Sequence, residues 1–202
     1  MNFSEFGFTQ GLTEGLEAMG YQEATPIQAA AIPIIQAGHD LIGCAQTGTG
    51  KTAAFLLPIL DRLCRMQDAK PGTRALIIVP TRELAVQIDQ QVEGLAYFIN
   101  VTSKAVYGGN DGKQWDAQRN ALDLGADILV ATPGRLIQFL QLGMATLGSI
   151  ETLVLDEADR MLDMGFFPDI ERILKELHGR KQTLLFSATM PPEVKRLAEK
   201  IL

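Results

Sequence analysis

Six short apolar runs recur along the chain: Asp40–Cys44, Arg74–Val79, Thr102–Val106, Asp127–Ala131, Thr152–Leu155 and Gln182–Phe186. Each is continuous rather than alternating and about as long as one buried strand, the pattern of strands covered on both faces. Between them lie longer segments with apolar residues at helical spacing, among them Glu83–Leu95, Arg135–Leu142 and Ile170–Leu177. Strands alternating with helices require right-handed crossovers. The pattern therefore predicts an α/β fold, a mostly parallel sheet with helices on both faces. Thr25-Pro26 and Thr132-Pro133 each set a capping residue before a proline suited to the first helical turn. Pro58 falls inside the helix expected after Gly50 and predicts a kink or a broken turn there.

A chain of 202 residues is long enough for one domain with a substantial core and too short for two full α/β domains. No repeat or flexible linker divides it. Its longest apolar stretch, Ala53–Leu60, is too short to cross a membrane, and MNFSEFGF lacks the basic and apolar regions of a secretory signal. Cys44 and Cys64 have no metal-ligand spacing and read as buried free thiols, so a cytoplasmic protein is expected. His39 and His178 read as solvent-facing, Trp115 as surface or partner packing, and Asp61, Asp163 and Asp169 as solvated positions. The net charge of −6 argues against a broad basic surface for nucleic acid, but leaves room for a small local one.

Polar motifs cluster where the apolar runs end. GCAQTGTGKT, PTRELA, ATPGR, LDEAD and FSATMPP each follow a run directly, and open parallel sheets bind ligands at the carboxyl ends of their strands. In the first, Gly48 and Gly50 allow a tight turn whose N–H groups point at phosphate, and a helix beginning near Lys51 adds its dipole. Lys51 can reach outer phosphates and the Thr52 hydroxyl can ligate Mg²⁺. The common phosphate-loop pattern has glycine where this chain has Ala45. Asp156, at the end of Thr152–Leu155, can hold Mg²⁺ through water, and Glu157 can orient or deprotonate an attacking water. Upstream, Thr25-x-x-Gln28 is a good capping box, yet a glutamine amide can also pair with the adenine edge and reject guanine. The residues alone leave capping and recognition both open.

AQTGTGKT, PTRELA, Gly108-Gly109, ATPGR, Asp-Glu-Ala-Asp and Ser187-Ala188-Thr189 resemble, in that order, the motif set of DEAD-box RNA helicases. The resemblance covers the chain from Phe3 to the SAT motif and implies a RecA-like P-loop NTPase domain, residues 31–202, with residues 1–30 packed on it as the adenine-reading region. In that family alanine normally opens the phosphate motif. The resemblance implies ATP contacts by Phe3, Tyr21, Gln28, Ala45, Gln46, Thr47, Gly48, Thr49, Gly50, Lys51 and Thr52, with Lys51, Asp156 and Glu157 catalytic. It implies Mg²⁺ at Thr52 and Asp156, the latter largely through water. RNA-backbone contacts fall to Pro80, Thr81, Arg82, Gly108, Gly109, Thr132, Pro133, Gly134 and Arg135. Asp159, Ser187 and Thr189 would couple nucleotide state to RNA. The helix Arg135–Leu142 resembles the one that bends the bound strand.

The resemblance also implies a second RecA-like domain of the same protein, closing on ATP and RNA to separate short duplexes. Its motifs, including an H-R-x-G-R-like string, are not among these residues. An arginine finger contributes roughly 10³–10⁵ in rate. The chain alone is therefore expected to bind adenine nucleotide, hydrolyse ATP very slowly and not unwind RNA. Two other classes share Lys51 and Asp156: a different P-loop motor acting on DNA or transport, and a standalone nucleotide-binding module.

Overall fold

The computed structural model describes residues 1–66, 72–109 and 112–202. A 3₁₀ turn, Phe3–Phe6, precedes helices α1 (Gln10–Ala18) and α2 (Pro26–Gln36). Strands and helices then alternate: β1 (Leu41–Cys44), α3 (Lys51–Arg65), β2 (Ala75–Ile78), α4 (Arg82–Leu95), β3 (Ser103–Val106), α5 (Gly112–Leu124), β4 (Ile128–Ala131), α6 (Pro133–Gln141), β5 (Thr152–Leu155). Two helices, α7 (Ala158–Asp163) and α8 (Phe167–Lys175), lead to β6 (Gln182–Ser187) and α9 (Pro192–Ile201). All six strands pair in parallel, in the order β1-β6-β5-β2-β4-β3.

Every apolar run became a strand. The side chains of the polar residues that head two of them bond to the backbone of neighbouring segments. Asp40 accepts a hydrogen bond from Thr183 N at 2.6 Å, and Asp127 accepts from Thr102 N at 2.8 Å. Alternate residues of the central strands feed two cores. Ile77, Val130, Val154 and Leu184 pack with α1–α4, and Leu76, Leu129, Leu153 and Leu185 with α6–α9. The N-terminal residues Phe3, Phe6, Leu12 and Leu16 belong to the first core.

Strand β1 departs from the expected double cover. It lies at one edge of the sheet, and Ile42 and Cys44 on one of its faces are exposed. Cys44 is therefore not the buried thiol its apolar surroundings indicated, and Cys64 is only partly covered. On the opposite face Gly43 lies against Phe186, where a Cβ would come within 2.5 Å of the ring. The helix α3 does not end at Pro58. It runs on to Arg65, with Phe55, Leu56, Leu57, Ile59 and Leu60 almost wholly buried. That packing outweighs the one backbone bond the proline lacks.

Asp61 is not solvated. It is 6% exposed, accepts from Thr9 N at 2.7 Å and pairs with Arg65 at 2.8 Å, while Arg65 also donates to Gly7 O. The helix behind the phosphate loop thus ties down the N-terminal segment. Trp115 is likewise an internal packing residue, stacked on Phe139 with ring centres 4.5 Å apart. His39, His178 and Asp163 are exposed and Asp169 is partly so. Among the described residues, no helix is long and apolar enough to cross a membrane.

Candidate functional site

The sheet order sorts the motifs. The turns after β1, β6 and β5, three adjacent strands, carry AQTGTGKT, SAT and DEAD; those after β2, β4 and β3 carry PTRELA, TPGR and Gly-Gly. All open on the same carboxyl edge, because every strand is parallel.

The loop after β1 continues the ladder for one residue, Ala45 N donating to Ser187 O at 3.1 Å. Gly48 and Gly50 take the left-handed conformation, at φ 85° and 90°. Ala45 does not; among the described residues the only non-glycine with positive φ is Glu157. Nothing in the backbone demands glycine at 45. Gly50 is needed twice over, since a Cβ there would lie 2.5 Å from Gln28 Nε2. Lys51, 6% exposed, turns back to donate its Nζ to Ala45 O at 2.6 Å, which holds an ammonium against the loop where an anion would sit.

Across the cleft, Asp156 is 3% exposed and accepts from Glu157 N at 2.9 Å. Burial pushes its carboxyl up to about 6, against the pull of Lys51 and that hydrogen bond. Glu157 caps α7 at φ 54° and pairs with Arg160 at 3.1 Å. Asp159 Oδ2 accepts from Thr189 N and Thr189 Oγ1, at 2.9 and 2.7 Å, while Asp159 N donates to Ser187 Oγ at 3.1 Å. Partial burial raises the Asp159 carboxyl, but its bonds to Thr189 and Ser187 prevail and hold it below the usual range. The SAT motif therefore lies directly beside Asp159.

A cleft of about 420 Å³ joins these groups, lined among others by Tyr21, Gln28, Gly48, Lys51, Thr52 and Asp156. Gln28 takes part in capping and also ties down the loop. Its Oε1 accepts from Thr25 N at 2.9 Å, half of a capping box, while Nε2 donates to Gly50 O at 3.1 Å. One N–H and one lone pair of the amide remain for a ligand. Thr25 and Thr132 head their helices as expected, though neither side chain closes a cap bond. Tyr21 is partly exposed, its hydroxyl taking a bond from Gln91 Nε2 at 2.7 Å. Phe3 stands behind it, edge-on with ring centres 5.8 Å apart and 6% exposed, so it supports Tyr21 rather than facing the cleft.

Among the described residues no three His, Cys, Asp or Glu side chains are grouped to hold a metal by themselves. The donor set fits a hard, water-rich cation completed by phosphate oxygens: one buried carboxylate, Asp156, and one hydroxyl, Thr52.

On the other half of the edge, Thr81 caps α4, its Oγ1 accepting from Leu84 N at 3.3 Å. Arg82 is exposed, its guanidinium 4.9 Å from the centre of the Tyr107 ring. Gly108 and Gly109 are exposed, Gly134 partly so, and Pro80, Thr132 and Pro133 are buried. Arg135 is turned inward. It is 7% exposed and donates Nη2 to Gly109 O at 3.1 Å, and burial lowers its pKa. The sequence reading missed Tyr107 and Gln118; Tyr107 could have been found as the aromatic just before Gly-Gly, whereas nothing marks Gln118 in a polar helix.

A family model described as DEAD/DEAH box helicase matches residues 25–197. The chain belongs to the DEAD/DEAH box helicase family. A relative called ATP-dependent RNA helicase CshA, from Listeria monocytogenes, is 48% identical over 99% of this chain and 37% of its own length. A Homo sapiens relative called probable ATP-dependent RNA helicase DDX27 is 47% identical over 98% of this chain and 26% of its own. The fold matches a crystal structure of a hypothetical ATP-dependent RNA helicase from Sulfolobus tokodaii. The TM-score is 0.86 and the identity 36%, covering 96% of this chain and 55% of that one. This DEAD/DEAH box domain thus spans well under half the length of the curated relatives it matches.

Proposed function

We propose that the chain is the first RecA-like domain of an ATP-dependent RNA helicase, binding adenine nucleotide on one half of its carboxyl edge and RNA on the other. The observation that carries this reading is the strand order, which sets the β1, β6 and β5 turns beside one another and the β2, β4 and β3 turns beside them.

Gln28 reads the adenine edge with its remaining N–H and lone pair, and Tyr21 stacks on the base. Lys51 exchanges its bond to Ala45 O for phosphate oxygens, and loop N–H groups at Gly48 and Gly50 face the same anion. Thr52 and Asp156 would hold Mg²⁺, which when bound would offset negative charge on the phosphates. Glu157 orients the attacking water, its carboxylate released from Arg160 for that task. Asp159, Ser187 and Thr189 join the two halves of the edge. Arg82, the N-termini of α4 and α6 and the Gly108-Gly109 turn receive the sugar-phosphate backbone, so base sequence matters little. An arginine from a second RecA-like domain completes catalysis, which leaves the isolated chain able to bind nucleotide and slow to hydrolyse it.

The test is ATP turnover by the intact natural protein, with RNA or with DNA of the same sequence, in the parent and in Lys51→Ala. RNA is expected to stimulate the parent, DNA to do little, and Lys51→Ala to be silent. Equal stimulation by DNA, or turnover in the variant, would overturn the reading.

A further inference from the structure

Helix α5 carries two residues that the scheme above does not use, and both bear on the Gly108-Gly109 turn. Gln118 is 6% exposed, and its carboxamide faces the backbone of Tyr107 just beyond β3. Its Oε1 accepts from Tyr107 N and its Nε2 donates to Tyr107 O, both at 3.2 Å. Strand β3 is an edge strand, paired only with β4. The glutamine supplies, at the residue before the turn, the donor and acceptor that another strand would have supplied.

The turn is also held from its far side. Arg135 donates to Gly109 O, and its guanidinium lies 4.7 Å from the Trp115 ring centre, with Trp115 stacked in turn on Phe139. Arg135 Nε has no hydrogen-bond partner among the described residues, so the Gly109 carbonyl and the aromatic face are its principal anchors. Tyr107 and Gly109 are therefore each gripped by a buried polar side chain, one from α5 and one from α6. Gly108 and Gly109 stay exposed between them. Fixing Tyr107 also fixes the ring against which Arg82 rests.

We propose that Gln118 is a positioning residue for RNA. With the Trp115–Arg135 stack, it holds the Gly108-Gly109 turn in the shape that receives a ribose-phosphate backbone, without touching RNA. This rests on the reading of that edge as the RNA site. A turn ordered beforehand does not lose its conformational freedom on binding, so the effect falls on RNA affinity and not on the chemical step.

The experiment uses the intact natural protein and compares Gln118→Met, Trp115→Leu and Arg82→Ala with the parent. It measures the RNA concentration giving half-maximal ATPase stimulation, kcat at saturating RNA, and ADP affinity. Gln118→Met keeps length and apolar volume and removes both bonds. It is expected to raise half-saturating RNA about five- to tenfold, the worth of one neutral hydrogen bond, with kcat and ADP affinity unchanged. Trp115→Leu is expected to raise it about twofold to threefold through the lost cation–π contact, and decides the matter if Gln118→Met does not fold. A shift in Arg82→Ala alone overturns the positioning role and leaves the RNA reading standing. No shift in any variant overturns both. A matching loss of kcat or ADP affinity in Gln118→Met assigns that residue to general stability, which also overturns the proposal.

Discussion

Asparagine at position 156 is expected to stabilise the ligand-free chain. In the folded chain, burial raises the Asp156 carboxyl from an ordinary 3.8 to about 6; Lys51 and the Glu157 N–H pull it down, and the charges of Glu157 and Asp159 push it further up. Below about 3.8 the carboxyl is protonated whether the chain is folded or not, and it contributes nothing. Between 3.8 and about 6 the unfolded chain releases a proton that the folded chain keeps, so stability falls as pH rises. Above about 6 both forms are ionised and the deficit is constant. Each tenfold in proton affinity corresponds to about 1.4 kcal/mol, which puts the plateau at about 3 kcal/mol. Asparagine has nearly the shape of the neutral acid and can still accept from Glu157 N, so Asp156→Asn should recover most of that deficit. Urea denaturation of parent and variant, without nucleotide or divalent cations, measures it. The two stabilities should coincide near about pH 4 and separate in the variant's favour by neutral pH, with most of the change below about pH 6. A variant no more stable than the parent at neutral pH, or an advantage independent of pH, would refute the reasoning.

Gly50→Ala forces a side chain into φ 90° and within 2.5 Å of Gln28 Nε2; calorimetry should show adenine-nucleotide affinity at least about tenfold weaker in a folded protein. Asp61→Ala strands the Thr9 N–H and frees Arg65, so denaturation should show a loss of about 2 kcal/mol. Gly43→Ala drives a methyl group into the Phe186 ring, and a thermal melt should register about 1–3 kcal/mol of destabilisation.

The strands were legible because burial on both faces leaves an uninterrupted apolar run, and the four central strands are buried at every position. The run before the phosphate loop misled for a topological reason. Its composition is that of a central strand, but pairing order makes β1 an edge and leaves Ile42 and Cys44 exposed. The loop and acidic residues of the candidate site could be read in order because each group follows its own strand within a few positions, whereas Tyr21 and Gln28 precede the first strand. Pairings between distant segments could not. Asp61 meets Thr9 across 52 positions, and Arg62 meets Gln182 Oε1 across 120, at 2.7 Å. The same limit hid the inward turn of Arg135, which depends on Trp115 and Gly109 arriving from other elements.

Asp156 and Glu157 share a property that their neighbours lack. The first keeps a carboxyl where burial disfavours its ionised form. The second holds φ 54° at the head of α7, a conformation that costs a non-glycine residue about 1 kcal/mol or more. Glycine would relieve the second and asparagine the first, and neither would retain a carboxylate. Lys51, Asp159 and Thr189 also engage partners within the fold, but without either of these costs. A helix start at residue 158 by itself requires neither the buried carboxyl of Asp156 nor the left-handed backbone of Glu157. Their presence at one strand end, in the same cleft as Lys51, is the reason for proposing chemistry at this point over simple nucleotide storage.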